Sequence, residues 1–162
     1  MTKKPLSYFA KAAIIAALYA VLTLAFSPLS YGVMQVRFSE ALTVLAMYSS
    51  AAVPGLTVGC LIANLLGPNG IWDVVLGTLA TFIGVSGMYF LRRKKYLSPM
   101  INVIVNGLII GLMLRYIYEV PVSAPLCIFW VALGELLSCY VLGVPLIKLL
   151  DKRGKDIGLT DL

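Results

Sequence analysis

Five apolar runs, at residues 12–29, 41–66, 71–91, 99–118 and 124–147, take up most of this 162-residue chain. Each approaches or exceeds the ~20 apolar residues that a membrane-spanning helix needs, so the chain has room for short connections and little else. Composition agrees, with 60% hydrophobic and 12% charged residues against roughly 45–50% and about 25% in soluble domains. The sequence therefore predicts an all-α integral membrane protein, a single membrane domain over residues 1–162 with its function inside the bundle. Reading the first run as a cleaved signal is disfavoured. It is longer than a usual signal core and has no clear small-residue cleavage site before Ser27 and Pro28.

The number of crossings turns on the second run, which contains "SSAAVPGLTVG" with a turn signal at Pro54-Gly55. If that run crosses once, Lys3, Lys4 and Lys11 lie on the opposite side from "RRKK" at Arg92, Arg93, Lys94 and Lys95, against the positive-inside bias. If the chain turns back there, these residues share one side with Lys148, Lys152, Arg153 and Lys155, leaving Arg37 and Arg115 outside. Charge parity thus favours a six-transmembrane-helix bundle with N and C termini cytoplasmic. The expected helices are approximately 8–28, 38–52, 54–67, 71–91, 98–118 and 123–149, and the outer loops 30–40, 67–73 and 115–123. The two helices made from the second run span only ~20 Å at 1.5 Å per residue, short of a hydrocarbon core ~30 Å thick.

Several function classes fall away. The net charge of +6 follows from clusters between apolar runs and is explained by topology, so no nucleic-acid partner is expected. The chain has no histidine, which removes Ser-His and Cys-His catalysis and most zinc sites. Cys60, Cys127 and Cys139 are isolated in apolar runs, and are expected to be buried small hydrophobes with no disulfide, metal or cofactor. No phosphate-binding GxxxxGK[ST] motif occurs, nor an evident inverted repeat. An enzyme is therefore not expected, and uphill transport would draw its energy from a partner.

Polar residues inside the apolar runs are the candidates for function. Glu135 is the one Asp, Glu, Lys or Arg among the 24 residues from 124 to 147, and lies ~17 Å of helical rise past Ala124, near mid-membrane. A carboxylate at that depth costs a few kcal/mol unless it faces a cavity or a partner; the plainer reading is a neutral acid bonded between helices. Asn106 reaches a similar depth on the preceding helix. Toward the outer side lie Arg37, Glu40, Asn64, Asn69 and Asp73, with Tyr31, Trp72 and Trp130 among them. Plainer readings exist for these too: a local Arg37–Glu40 ion pair, Asp73 as a helix cap, and the aromatic residues as interfacial anchors. Asn102 reads as an interhelical hydrogen-bonding residue. Acids, amides and aromatics on the outer half suit a small, planar, cationic ligand entering from outside. In "AAIIAALYA", Ala12, Ala16 and Ala20, and likewise Ala13 and Ala17, repeat at four-residue spacing, a small-residue surface for close helix contact within the bundle or with a partner.

These segments resemble a known family. "RFSEALTVL", "GLTVGCLIANLLGPNGIWDVVLGTLAT" and "GELLSCYVLGVPL", together with the alanine-rich first helix, are similar to the queuosine-precursor transporter family, QueT, from about Ser7 to Leu150. The resemblance implies the substrate-binding S component of a bacterial energy-coupling factor (ECF) transporter in the cell membrane. Its implied partners are a transmembrane T component, docked through one of the two alanine faces, and two cytosolic ATPase subunits. The implied substrate is a deazapurine queuosine precursor, with aminomethyl-deazaguanine (prequeuosine) the expected one. Glu135 and Glu40 would then meet the guanine-like edge and the cationic arm, Asn106 and Asn64 the remaining ring atoms, and Trp72, Trp130 or Tyr31 the ring face. Arg37 is expected to orient Glu40. Alternatives are an S component for another vitamin or nucleobase, or a stand-alone carrier.

Overall fold

The computed structural model describes residues 6–32 and 35–153. Lys3, Lys4 and Lys155 of the basic clusters, Val33 and Met34 of the first outer loop, and the tail from residue 154 lie outside them. Regular structure among the described residues is helical. Its elements are α1 (Leu6–Ala25), α2 (Ser27–Ser30), a 3-10 helix (Phe38–Met47), α3 (Ala52–Leu66), α4 (Thr78–Phe90), α5 (Pro99–Tyr116), α6 (Ala124–Leu136) and α7 (Gly143–Arg153). Two π turns, Asp73–Gly77 and Leu137–Leu142, run without a break into α4 and between α6 and α7. Four stretches are long and apolar enough to cross a membrane: Leu6–Ala25, Asp73–Phe90, Pro99–Tyr116 and Ala124–Arg153. The 3-10 helix and α3 are apolar but shorter.

The 41–66 run breaks earlier than its turn signal suggested. Helix stops at Met47 and restarts at Ala52, whereas Pro54-Gly55 sits in the first turn of α3. Proline is tolerated there because the first N–H groups of a helix have no intrahelical acceptor. Gly55 serves close approach: a Cβ on it would lie 2.7 Å from the Ala12 carbonyl oxygen.

Contacts fix the relative directions of the segments. The 3-10 helix runs opposite to α1, since Thr23 bonds Ser39 while Tyr8 bonds the carbonyl of Ser50. Helix α3 runs parallel to α1, with Gly55 against Ala12 and Gly59 against Ala16, so the chain reverses between Met47 and Ala52. Helix α4 with its π turn opposes α3 through Asn64–Asp73 and Cys60–Thr81. Helix α5 opposes α4 through Gly84–Asn102 and Gly87–Ile101, and α6 opposes α5 through Gly107–Ala132 and Gly111–Ile128.

Alternation collects the loops at two ends. At one end the Tyr48 hydroxyl donates to Asp151 Oδ1 (2.7 Å), Lys95 pairs with the same carboxylate, and Tyr140 bonds the Tyr96 carbonyl. Arg92, Arg93, Lys94, Lys148, Lys152 and Arg153 belong to this end. At the other, Tyr118 donates to the Asn69 carbonyl (2.5 Å) and Tyr31 to that of Ala63 (2.6 Å); Arg37 and Arg115 lie there.

The bundle is apolar outside, and its largely apolar interior also encloses charged and amide side chains. Phe9, Leu18, Val21, Phe82, Leu108 and Phe129 are exposed, whereas Arg37, Glu40, Asp73, Asn102 and Glu135 are buried. That inversion suits hydrocarbon, where lipid tails cover apolar side chains and polar groups must find partners inside. Helices meet through small residues, as expected where no hydrophobic force drives association. Ala12 and Ala16 lie against Gly55 and Gly59, so the Ala12, Ala16 and Ala20 row packs inward while Ala13 and Ala17 remain exposed. A valine at Gly59 would collide with the Ala16 carbonyl oxygen, 2.8 Å from the new Cβ, and with Tyr19 Cβ at the same distance. Gly59→Val should therefore destabilise the protein by about 1–3 kcal/mol, in the range of overpacking, and lower its melting temperature in detergent. Val58→Leu, on the exposed side of the same helix, should leave that melting temperature within error.

Candidate functional site

Two carboxylates meet at the middle of the bundle. Glu40, in the first turn of the 3-10 helix, is 1% exposed and Glu135, near the end of α6, is 2% exposed. Between them stands Asn102 of α5, whose Nδ2 donates to Glu40 Oε2 at 2.9 Å and to Glu135 Oε2 at 3.1 Å. Carboxylates only accept, so the amide must turn its NH2 toward them. Its Oδ1 accepts from Asn106 Nδ2 at 3.2 Å. The second Glu40 oxygen takes the Tyr19 hydroxyl of α1 in a short hydrogen bond. Cys139 completes the group, its thiol 3.8 Å from Glu135 Oε2 and 3.9 Å from the Thr43 hydroxyl.

Local sequence explains the convergence. Glu135 and Cys139, and Asn102 and Asn106, are four apart and share helix faces. Glu135 lies just ahead of the π turn Leu137–Leu142, which contains Cys139. π turns recur at functional sites because the inserted residue re-aims its neighbours.

A second polar group lies toward the end that carries Tyr31 and Tyr118. Arg37 pairs with Asp73 Oδ2 at 3.3 Å, donates from Nε to the Ser30 carbonyl at 3.1 Å, and lies over the Tyr31 ring at 5.4 Å. Asn64 donates to the Asp73 carbonyl at 2.9 Å and to Cys60 Sγ at 3.3 Å, and Thr81 donates to the same thiol at 3.2 Å. Among the described residues, four buried atoms here have no hydrogen-bond partner: Asp73 Oδ1, Asn64 Oδ1, Ser30 Oγ and Gln35 Nε2. Such atoms cost about 1–3 kcal/mol each when left unpaired, so this group has unused bonding capacity. Outside it a cleft of about 270 Å³ is lined by Tyr31, Gly32, Asn69, Leu114, Tyr118 and Val120.

These positions revise several expectations. Arg37 does not orient Glu40. It lies in extended backbone just ahead of the 3-10 helix, which directs it to Ser30 and Asp73, while Glu40 is held by Tyr19 and Asn102. Asp73 is not at the cap position: Ile71 and Trp72 are already helical, so Asp73 lies inside the first turn, where its Oδ2 pairs with Arg37. Trp72 is 49% exposed and Trp130 half-buried against Phe129; neither has a hydrogen bond or ring contact with the polar groups. Cys60 and Cys139 are buried, free thiols, but they sit in hydrogen-bond networks rather than purely among hydrophobes. Asn106 reaches Glu135 through Asn102, which makes the interhelical hydrogen bonds expected of it, to Glu40 and Glu135. Tyr19 was missed as well. Its signal was the row Ile15, Tyr19 and Thr23 at four-residue spacing, a polar-tipped stripe on the buried face of α1.

Chemically, the interior offers three carboxylates and one guanidinium, with amides able to donate or accept. It is suited to a small polar ligand bearing several N–H donors. The model of the QueT transporter family matches residues 9–152. The Queuosine precursor transporter QueT of Lactococcus lactis subsp. cremoris (strain MG1363) is 30% identical over 165 residues, covering 91% of this chain and 92% of its own. No solved structure matches. With a match that runs from the first helix to the last, over helices apolar enough to cross a bilayer, this chain belongs to the QueT transporter family and is a multi-pass protein of the bacterial cell membrane.

Proposed function

We propose that the protein is the substrate-capturing S component of an ECF-type transporter, and that it takes up a queuosine precursor, aminomethyl-deazaguanine in first place. The observation that carries this reading is the Glu40–Asn102–Glu135 arrangement. A guanine-like edge presents a ring N–H beside an exocyclic amine, two parallel donors that one carboxylate accepts together. The aminomethyl arm is a cation and calls for a second carboxylate. The relative's name supplies the substrate class. Glu135 and Glu40 would take these two roles, with Asn106, Asn64, Asp73 and Tyr31 as further contacts. Arg37 would fix Asp73 rather than touch the cation.

The remaining parts of the reading concern topology and partners. Six alternating segments, with the basic residues at one end, support six crossings and cytoplasmic termini by the positive-inside rule. Ten residues of 3-10 helix at ~2.0 Å rise and fifteen of α3 at 1.5 Å each reach ~20 Å, so local bilayer thinning would accompany them. The exposed Ala13 and Ala17 are the alanine pair favoured for the T component, beside a shallow groove lined by Phe9, Ala12, Ala13, Ala16, Pro54 and Val58. Two ATPase subunits on the cytoplasmic side would supply the energy. In this scheme the outer loops close over the base, the module tilts, and ATP hydrolysis in the partners releases the ligand inside.

Calorimetry on the purified protein should show tight binding of aminomethyl-deazaguanine, with the nitrile analogue, guanine and queuine competing less well. Glu135→Gln and Glu40→Gln should each weaken binding by roughly ten- to a hundredfold, the value of a charge-assisted hydrogen bond, and one of them should affect the uncharged nitrile less. Absence of binding by every deazaguanine would remove the substrate. Ala13→Trp and Ala17→Trp should leave ligand affinity unchanged and reduce uptake in cells that contain the energising module; unaltered uptake would remove that docking face. A cysteine at Lys94 should react with a membrane-impermeant thiol reagent only in inside-out vesicles, and one at Ser123 only in intact cells. The reverse pattern would invert the topology.

A further inference from the structure

We infer that Asn102 is an internal stand-in for the ligand, a positioning residue that holds the two carboxylates together while the site is empty and must let go of them for the substrate to bind. The inference rests on the reading just given. Its basis is geometric. Two acids from different helices, the 3-10 helix and α6, point at one spot in the buried interior, and the Asn102 NH2 fills that spot within hydrogen-bond reach of both. Each acid thereby receives an N–H, as each would from a ligand that presents donors to both acids at once. Ligand and amide therefore compete for the same acceptor oxygens.

The surroundings bear this out. Among the described residues, the donors on Glu135 are the Asn102 amide and the weak Cys139 thiol, at 3.1 and 3.8 Å. Glu40 keeps a separate donor, Tyr19, on its other oxygen. Release of the amide would therefore strip Glu135 of its strong donor while Glu40 stays anchored. The carbonyl side of the amide rests on α4 at a residue without a side chain. A Cβ on Gly84 would fall on the Asn102 Oδ1, 3.1 Å from its Cγ and 3.3 Å from its Cα. Behind it, Asn106 bonds both the Oδ1 and the backbone carbonyl of Asn102, at 3.2 and 3.1 Å. Asn106 thus sets the amide's direction, and Gly84 gives it space. An interhelical bond made only for packing would need one acceptor, not two acids from separate helices.

A competing internal donor weakens the ligand it imitates. Asn102→Ala and Asn102→Ser shorten the side chain so that it no longer reaches the acids, and should tighten binding of aminomethyl-deazaguanine to the purified full-length protein by about tenfold, one charge-assisted hydrogen bond that need not be given up. Stopped-flow release should slow in proportion. Unchanged affinity would overturn the inference in favour of a packing bond, and weaker binding would overturn it in favour of a direct ligand contact. The wild-type protein, selectively labelled with ¹⁵N-asparagine, supplies a second measurement that does not depend on either variant folding. The Asn102 NH2 signals should be protected from exchange without ligand, then shift and lose protection at saturation. A bound wild-type protein with unaltered Asn102 signals would remove this role alone; a wild-type protein that binds no aminomethyl base would remove the proposed substrate first.

Discussion

A carboxylate carried into hydrocarbon has to find its donors on the protein, because no bulk water reaches it and a missing partner costs several kcal/mol. That constraint organises the centre of this bundle. Glu40 and Glu135 approach each other in the buried interior. One amide from α5 and one hydroxyl from α1 hold them. Four of the segments that alternate in direction are thereby drawn to a single point: α1 through Tyr19, the 3-10 helix through Glu40, α5 through Asn102, and the long α6–α7 run through Glu135. The two remaining segments, α3 and α4, meet the others through Gly55, Gly59 and Gly84, where absent side chains let backbone come close.

The Arg37–Asp73 pair obeys the same constraint with a different outcome. Here charge is neutralised by opposite charge, and the guanidinium also takes the Ser30 carbonyl and the Tyr31 face. Truncating either partner of such a pair would leave the other buried and uncompensated, which is costlier than never having buried it. Its unpartnered neighbours, Asn64 Oδ1 and Asp73 Oδ1, contrast with the bonded amide at the centre. One polar group is closed on itself, and the other retains free acceptors.

How much of this could be read in the chain differs by feature. Apolar length and charge spacing are one-dimensional, so helices long enough to cross a bilayer and the grouping of basic loops were legible. Glu135 stood out because it is a lone acid in an apolar run, and its family resemblance was carried by long segments. The end of the helix at Met47 was not legible. Pro54-Gly55 is a turn signal in water-soluble chains, yet here the proline fits a helix start and the glycine is demanded by Ala12 of a helix forty residues away. Arg37 was assigned to Glu40 because three-residue spacing puts side chains together on a helix. Arg37 precedes the helix, so the rule did not apply. Asn102 was legible as an interhelical hydrogen-bonding residue, but its partners were not, because an amide looks the same in sequence whether it joins two backbones or two acids; only the three-dimensional meeting of α5, α6 and the 3-10 helix tells them apart.

The 3-10 geometry of Phe38–Met47 has a consequence for registration. With ~3.0 residues per turn, side chains three apart eclipse one another. Glu40, Thr43 and Ala46 therefore form one straight column, and all three are buried. In an α-helix, at 3.6 residues per turn, that column would wind about 60° with each step and carry Ala46 well away from the face that Glu40 occupies. Thr43 is locked to the column by its bond to the Glu40 carbonyl at 2.5 Å. The segment thus behaves as a triangular prism seated in a groove. Deleting a single residue ahead of Glu40 would turn it by about a third and replace the Glu40 edge with the Phe38, Ala41 and Val44 edge, whereas inserting one would bring in Ser39, Leu42 and Leu45, so that the acid could change its angular address only in steps of ~120°.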